Sequence, residues 1–341
     1  MRHSVIAAVL ALALSGQLSG QRGAGSPPTD TEIFLAPLST SAGLPSIGQP
    51  VNITNSPGYD NQPSFTPDGQ QILFTSNRGG TQTDIYRFDI PSGASELIEY
   101  YSQQASEREL RAATAERPGV VRKSPPSSRA IARVTDTPES EYSPTVTPDG
   151  AHISVIRVEA DSTQRLWRFT IDGKQPELVL AGVKPVGYHA WADDHTLALF
   201  VLGTPATLQV ADTASGKADV VVRGIGRSIQ KIPGRATISF VEREEPAVRG
   251  GAPILRIREL EPKGRHITPL VNAVAGTSEA DCAWTPDGML LMAHTDMLYG
   301  WKRGDPEWRR LTDLAPLGLH GVTRLAVSPK GDRIAVVAQP R

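Results

Sequence analysis

One cysteine, Cys282, stands among 341 residues. A chain so poor in cysteine carries no internal disulfide, and outside the cell it must be held by its core alone. Cys282 itself reads as a small buried hydrophobe rather than a nucleophile. Charge of one sign is not in excess either: the formal net charge is −1. That removes the electrostatic case for nucleic acid or an anionic membrane, so a partner must be recognised by shape and local groups. Long apolar runs are missing too. The compact run VIAAVLALAL at 5–14 falls short of the ~20 residues that span a bilayer, and no transmembrane span is expected. Also absent are the G-x-S-x-G elbow, H-E-x-x-H, paired C-x-x-C, the P-loop and the EF-hand loop. Their absence argues against the common hydrolases, zinc enzymes and nucleotide users. A site assembled from residues far apart in the chain remains open.

The first residues read as an export signal. Arg2 and His3 give a short basic start, the apolar run follows, and small residues Ser15, Gly16, Ser19 and Gly20 offer a cleavage site. We expect a signal peptide at 1–20, a disordered linker at 21–30 and a periplasmic or secreted product. A buried N-terminal helix is the competing reading. No cysteine follows the run, so a lipid anchor is not expected.

Turn formers are plentiful, with 31 Gly and 28 Pro, which suits many short strands. They recur in a pattern. "SFTPDGQQILFTS", "TVTPDGAHISVIRV", "AWTPDGMLLMAHT" and "AVSPKGDRIAVVA" align on Pro67, Pro148, Pro286 and Pro329. Degenerate copies place Asp193 and Pro233 at the same position. The successive steps between these six positions are 81, 45, 40, 53 and 43 residues. All but the first lie near the ~40–50 residues of a four-stranded propeller blade. Each unit has one grammar: a short strand, a Thr-Pro-Asp-Gly type I turn, then three more strands. The second strands are QILFTS, HISVIRV, TLALFVL, ATISFVE, LLMAHT and RIAVVA. The third are DIYRFDI, RLWRFTI, TLQVADT, ILRIREL and MLYGWK. An aliphatic-Thr pair marks the fourth in Val134-Thr135, Ile267-Thr268 and Leu311-Thr312. Pro67, Asp68, Gly69, Pro148, Asp149, Gly150, Pro286, Asp287 and Gly288 are accordingly read as structural turn residues.

The chain stops after two strands of the sixth unit, and TEIFLAPLS at 31–39 followed by PVNITNS at 50–56 resembles the missing third and fourth. The expected fold is therefore all-β: a six-bladed β-propeller of four-stranded blades over 31–341. Its last blade is closed by N-terminal strands 31–38 and 51–54 pairing with the C-terminal strands, leaving no unfinished edge. The long first step carries roughly 35 extra residues. They fall at about 91–130, where a short helix and a Pro/Ser-rich arm are expected.

The run from Pro63 to Arg78, with Asp84-Ile85-Tyr86 and Ile53-Thr54-Asn55, resembles the TolB-type, WD40-like propeller repeat over 31–341. That family occurs in bacterial periplasmic proteins and in the propellers of prolyl-oligopeptidase-like enzymes. The resemblance implies an isolated propeller used for binding, without the α/β domain of TolB or the hydrolase domain of the peptidases.

Candidate site residues lie before each turn, where first strands approach a central channel. Seven back from the turn position stand Asp60, Glu141, Val186, Gly226, Glu279 and Val322. With their neighbours they give a channel-mouth set of Tyr59, Asp60, Asn61, Glu141, Tyr142, His189, Arg227, Glu279, Asp281 and His320; Tyr188 and Arg324 stand nearby. Three or four carboxylates converging there would hold a hard cation or meet a basic peptide. The bland reading is solvated, turn-capping loop residues. His189, Asp193, Asp194 and His195 look like a metal cluster, but they fall at opposite ends of a hairpin, so a degenerate turn is expected. Trp191 and Trp284 sit two before their turns and read as packing between blades.

The expectation is a monomeric, non-catalytic binding module for a protein or peptide partner in the cell envelope, with no nucleic-acid partner and no cofactor. The alternative is a propeller lyase or lactonase-type hydrolase with a calcium or other divalent cation bound in the channel.

Overall fold

A computed structural model describes residues 30–91, 130–246 and 253–340. The expected signal peptide, the linker up to residue 29 and the body of the 91–130 arm lie outside them. Asp30, expected as linker, already accepts a hydrogen bond from the Gly58 amide at 2.8 Å.

Six antiparallel sheets stand in a ring. Blade I contains β4 (Asp60–Phe65), β5 (Gln71–Ser76), β6 (Asp84–Asp89) and β7 (Ile131–Arg133). Blade II contains β8 (Ser140–Val146), β9 (His152–Val158), β10 (Gln164–Thr170) and β11 (Glu177–Leu178). Blade III contains β12 (Val186–Trp191), β13 (Thr196–Val201), β14 (Thr207–Asp212) and β15 (Lys217–Arg223). Blade IV contains β16 (Ile225–Lys231), β17 (Ile238–Glu244), β18 (Ile254–Glu261) and β19 (His266–Asn272). Blade V contains β20 (Cys282–Trp284), β21 (Met289–His294), β22 (Met297–Lys302) and β23 (Arg309–Asp313). Blade VI joins the two ends of the chain. Its inner strands are β24 (Arg324–Val327) and β25 (Arg333–Ala338), and β1 (Glu32–Ser41) pairs with β25 from Glu32↔Ala338 to Pro37↔Arg333.

The outer edge of blade VI differs from expectation. β1 runs on to Ser41 and folds back on β2 (Leu44–Ile47) through Ala42 and Gly43, both at positive φ (50° and 77°). Such a two-residue turn matches the twist of the strands it joins. The expected strand 51–54 is only β3 (Val51–Asn52), and it pairs with β1 rather than with a C-terminal strand. Ile53 and Thr54 lie past its end. The Thr54 hydroxyl accepts the Ile33 amide at 2.9 Å, as Thr135 accepts that of Ile85 at 2.9 Å. Ile267-Thr268, by contrast, pairs inside a strand. The repeated aliphatic-Thr pair is therefore two different devices.

Second strands are buried almost end to end, as in β5, β13 and β25, where all but the first residue are buried, because blades cover both faces of each sheet. Outermost strands such as β15 and β19 face solvent. Six apolar clusters fill the six gaps between neighbouring blades. Two of them, around Phe34, Leu291 and Val336 and around Ile33, Phe74 and Val337, pack blade VI against V and I and seal the ring. Leu73, Phe74, Ile85 and Phe88 are essentially inaccessible to water. Among the described residues the only helical turn is a 3-10 piece at Ala315–Leu317.

The turns behave as punctuation. Thr66 donates to Asp68 Oδ1 at 2.6 Å, that carboxylate accepts the Gln70 amide at 3.0 Å, and the Gly69 amide closes on Thr66 O at 2.8 Å. Gly69, Gly150, Gly288 and Gly331 all take φ between 70° and 84°, which a side chain would strain. The degenerate turn keeps the logic, with Asp193 Oδ1 accepting the amides of His195 and Thr196. His195 lies in that turn, while His189 sits mid-strand in β12 opposite Leu199 rather than at the far end of the hairpin.

Candidate functional site

Each blade sends one side chain towards the axis near the head of its innermost strand: Tyr59, Tyr142, Tyr188, Arg227, Asp281 and Arg324. Arg324 of blade VI reaches across to the Tyr188 hydroxyl of blade III, its opposite in the ring, at 2.9 Å. Its guanidinium also lies 5.2 Å from the Tyr188 ring centroid, a cation–π contact. Asp281 anchors the same guanidinium at 3.1 Å. Arg227 faces Glu279 at 3.7 Å. Tyr59 and Tyr142 meet edge to face with centroids 6.5 Å apart. Desolvation pushes the Tyr59 phenol above its usual pKa, with Arg324 opposing, and raises that of the Asp281 carboxyl against the pull of Arg324 and Arg227.

This bridge is the floor of a cavity of about 390 Å³. The walls run from Tyr188, Arg227, Asp281 and Arg324 to Pro67, Pro148 and Lys231 beside the turns. Tyr59 and Tyr142 do not line it, so the cavity lies on the turn side of the bridge. Pro67 and Pro148 therefore form part of a rim as well as punctuation. Lys231 projects at that rim and donates to Ala192 O at 2.6 Å.

Two wall positions are conformationally unusual. Gln62 and Ser143 sit in β-bulges of β4 and β8 with φ of 56° and 53°, in the left-handed region. Gln62 Oε1 accepts the Ser143 amide and the Thr75 hydroxyl, each at 2.8 Å. A backbone amide only donates, so the orientation of the Gln62 side chain is fixed and Nε2 faces away from this pair. Gln62 Nε2, Ser143 Oγ and His189 Nδ1 are buried without a partner among the described residues. His189 Nε2 meets Ser154 Oγ at 2.7 Å, and burial lowers the imidazole pKa to about 4, so the ring is neutral at pH 7. Trp191 donates to that same serine at 2.9 Å, and Trp284 makes the matching bond to Ser239 at 2.8 Å. Cys282 takes the place in blade V that His189 takes in blade III, buried and hydrophobic as expected.

The expected convergence of carboxylates is not what the fold makes. Asp60 turns into the gap between blades VI and I, where Arg78 Nη2 meets both its oxygens at 3.1 and 3.0 Å. Glu32 lies in the same gap, bonded by Thr54 at 2.5 Å and the Ser56 amide at 2.9 Å. Glu141 turns into the gap between blades I and II, held by Thr137, by Thr135 at 3.2 Å and by Arg157 at 3.7 Å. Desolvation lifts Glu32 and Glu141 to about 7. Asn61 is buried and accepts its neighbour's amide at 2.8 Å. His320 is exposed beside Asp296 at 3.1 Å. Among the described residues no three His, Cys, Asp or Glu side chains are placed to share a metal ion. A fixed offset of seven misses the channel because the inner strands are unequal: β4, β8, β12 and β16 carry register shifts. Asp281 and Arg324 stand only five before their turn prolines. Gln62, Ser143 and Lys231 had no sequence signal beyond the extra bulge residue before Pro63 and Pro144.

Fold and site together define a six-bladed β-propeller sealed by its own N-terminal strand, with a polar channel bridged across its axis. A stretch of 42 residues is 55% identical to the Tol-Pal system protein TolB of Bordetella pertussis and, equally, of Bordetella bronchiseptica, covering 12% of this chain and 9% of each relative. The match thus spans under a tenth of those curated relatives. No family profile matches the chain. A protein of Agrobacterium tumefaciens assigned as TolB superposes with TM-score 0.60 at 16% identity, over 93% of this chain and all of that one. TolB of Acinetobacter baumannii gives 0.51 at 12%, over 90% of this chain and 64% of that one. A chain of the Nidogen/Laminin complex gives 0.50 at 12%, over 91% of this chain and all of the other. The chain shares partial homology with TolB, and its architecture is that of a TolB-type propeller domain.

Proposed function

We propose that this protein is an exported, monomeric propeller that binds a protein segment or another cell-envelope component at its channel, without catalysing a reaction on it. The observation that carries this reading is the axial layer of Tyr59, Tyr142, Tyr188, Arg227, Asp281 and Arg324, one residue from each blade around one channel. Tyrosine and arginine are the residue types that dominate binding hot spots, since each combines a broad apolar face with directional donors. The partial homology to TolB and the apolar N-terminal run support placement in the envelope. Immobilised protein offered an envelope extract tests the reading. Wild type is expected to retain a defined protein that Arg324→Ala and Tyr188→Ala lose. Retention of nothing, or equal retention by all three, would overturn it.

A further inference from the structure

We propose that the bridged cavity is a carboxylate site: it receives the end of a ligand that terminates in a free carboxylate, and the fitting source is the C-terminus of a polypeptide. This inference rests on the reading of the channel as the binding surface and names what that surface selects.

The first argument is topological. The Arg324–Tyr188 bridge crosses the axis, so a strand cannot thread the ring from face to face. Whatever enters from the turn side must end at the bridge. The open cavity of about 390 Å³ suits a chain end and lies in the lower part of the ~300–1,000 Å³ range of ligand pockets.

Charge is the second argument. The charged wall residues are Arg227, Lys231 and Arg324 against Asp281, a net of +2. Glu279, behind Arg227, brings that to +1. Asp281 answers Arg324 and Glu279 faces Arg227, whereas Lys231 has no carboxylate partner among the described residues. Its ammonium has three N–H donors and gives one to Ala192 O.

The third argument is the supply of donors. Gln62 has its oxygen occupied twice, so only its NH₂ group is left to offer. Tyr188 accepts from Arg324, which leaves its own O–H to donate. Ser143 Oγ has no partner among the described residues. Such a wall matches an acceptor-only, negatively charged group, and a carboxylate presents about four lone-pair positions. Gln62 and Ser143 hold their places through left-handed backbone at non-glycine residues, a strain that folds retain where a site requires it.

The test uses the full chain and fluorescein-labelled hexapeptide pools that lack Asp and Glu, ending either in a free carboxylate or in a carboxamide. Fluorescence anisotropy is expected to show the free-carboxylate pool binding about tenfold more tightly, and Lys231→Met removing about that factor without touching the carboxamide pool. Gln62→Leu is the second variant, with a several-fold loss expected, and thermal melts confirm that both variants fold. Succinate in place of peptide separates the sources: binding of succinate but of neither pool keeps the carboxylate and overturns the polypeptide. Equal binding of the two pools, or no binding of any probe, overturns the carboxylate site. Retention of an envelope protein by wild type but not by the bridge variants would in that case leave the binding-module reading standing, whereas its loss would remove both.

Discussion

Asp60 and Asp281 both stand at the head of an innermost strand, and both pair with an arginine near 3 Å. Asp60 faces the gap between blades, where Arg78 also stacks over Phe74 and Tyr86 at 5.3 and 5.4 Å. Asp281 faces the axis and holds the arginine that spans the channel. The cause is parity. Successive side chains of a strand point to opposite faces, and β4 carries a bulge that β20 lacks, so Asp60, seven before its turn proline, faces a gap while Asp281, five before its own, faces the axis. Tyr142 follows Glu141 and takes the axial side while Glu141 takes the gap. The same chemistry thus locks two blades together in one place and spans the channel in the other.

The sharpest way to break this comparison is to remove each aspartate. Asp60→Ala leaves the partly buried Arg78 charge without its partner and should cost about 3 kcal/mol in urea unfolding. Asp281→Ala should cost less, because the freed Arg324 still has Tyr188 and the channel, while abolishing partner capture. Equal losses of stability would refute the division of labour.

The pH dependence comes next in size. Glu141 titrates near 7 in the folded chain against 4.5 when exposed. Folding therefore takes up a proton between these values, so this group's contribution is complete below pH 4.5 and is lost as the pH rises through 7. Glu141→Gln keeps a neutral group at every pH. Relative to wild type, the variant should gain about 3 kcal/mol between pH 4.5 and 8. Parallel stability curves across that range would mean Glu141 stays ionised. Glu32→Gln should act likewise at the neighbouring gap.

Smaller effects sharpen the picture. Tyr188→Phe deletes the acceptor of the cross-axis bond and should cost about 1–2 kcal/mol, less than Asp60→Ala, in the same unfolding assay. Trp191→Phe and Trp284→Phe each lose one indole-to-serine bond between adjacent blades. Each should cost about 1 kcal/mol and the two should agree, since the bonds are equivalent by repeat position.

Much of the fold was legible because turns and strand patterns repeat. Thr66-Pro67-Asp68-Gly69 and its copies located the hairpins, and the split blade followed from matching TEIFLAPLS to a third strand. The β1–β2 hairpin was not legible, since Ala42-Gly43 is a weak turn signal. The site was only half legible. Tyr59, Tyr142, Arg227 and Asp281 were in the expected set and do face the axis, while Asp60 and Glu141 were in it and face the gaps. Arg324 and Tyr188 were neighbours of that set, and nothing in either sequence context announces a bond between residues 136 positions apart.

Sequence alone determined the number of blades, the hairpin turns and the ends that meet in blade VI, because these follow from local turn chemistry and two-residue periodicity. Only the tertiary structure decided which polar side chains share the channel. A bulge of one residue flips every side chain beyond it, and bulge positions are set by packing between blades rather than by the residues that bulge.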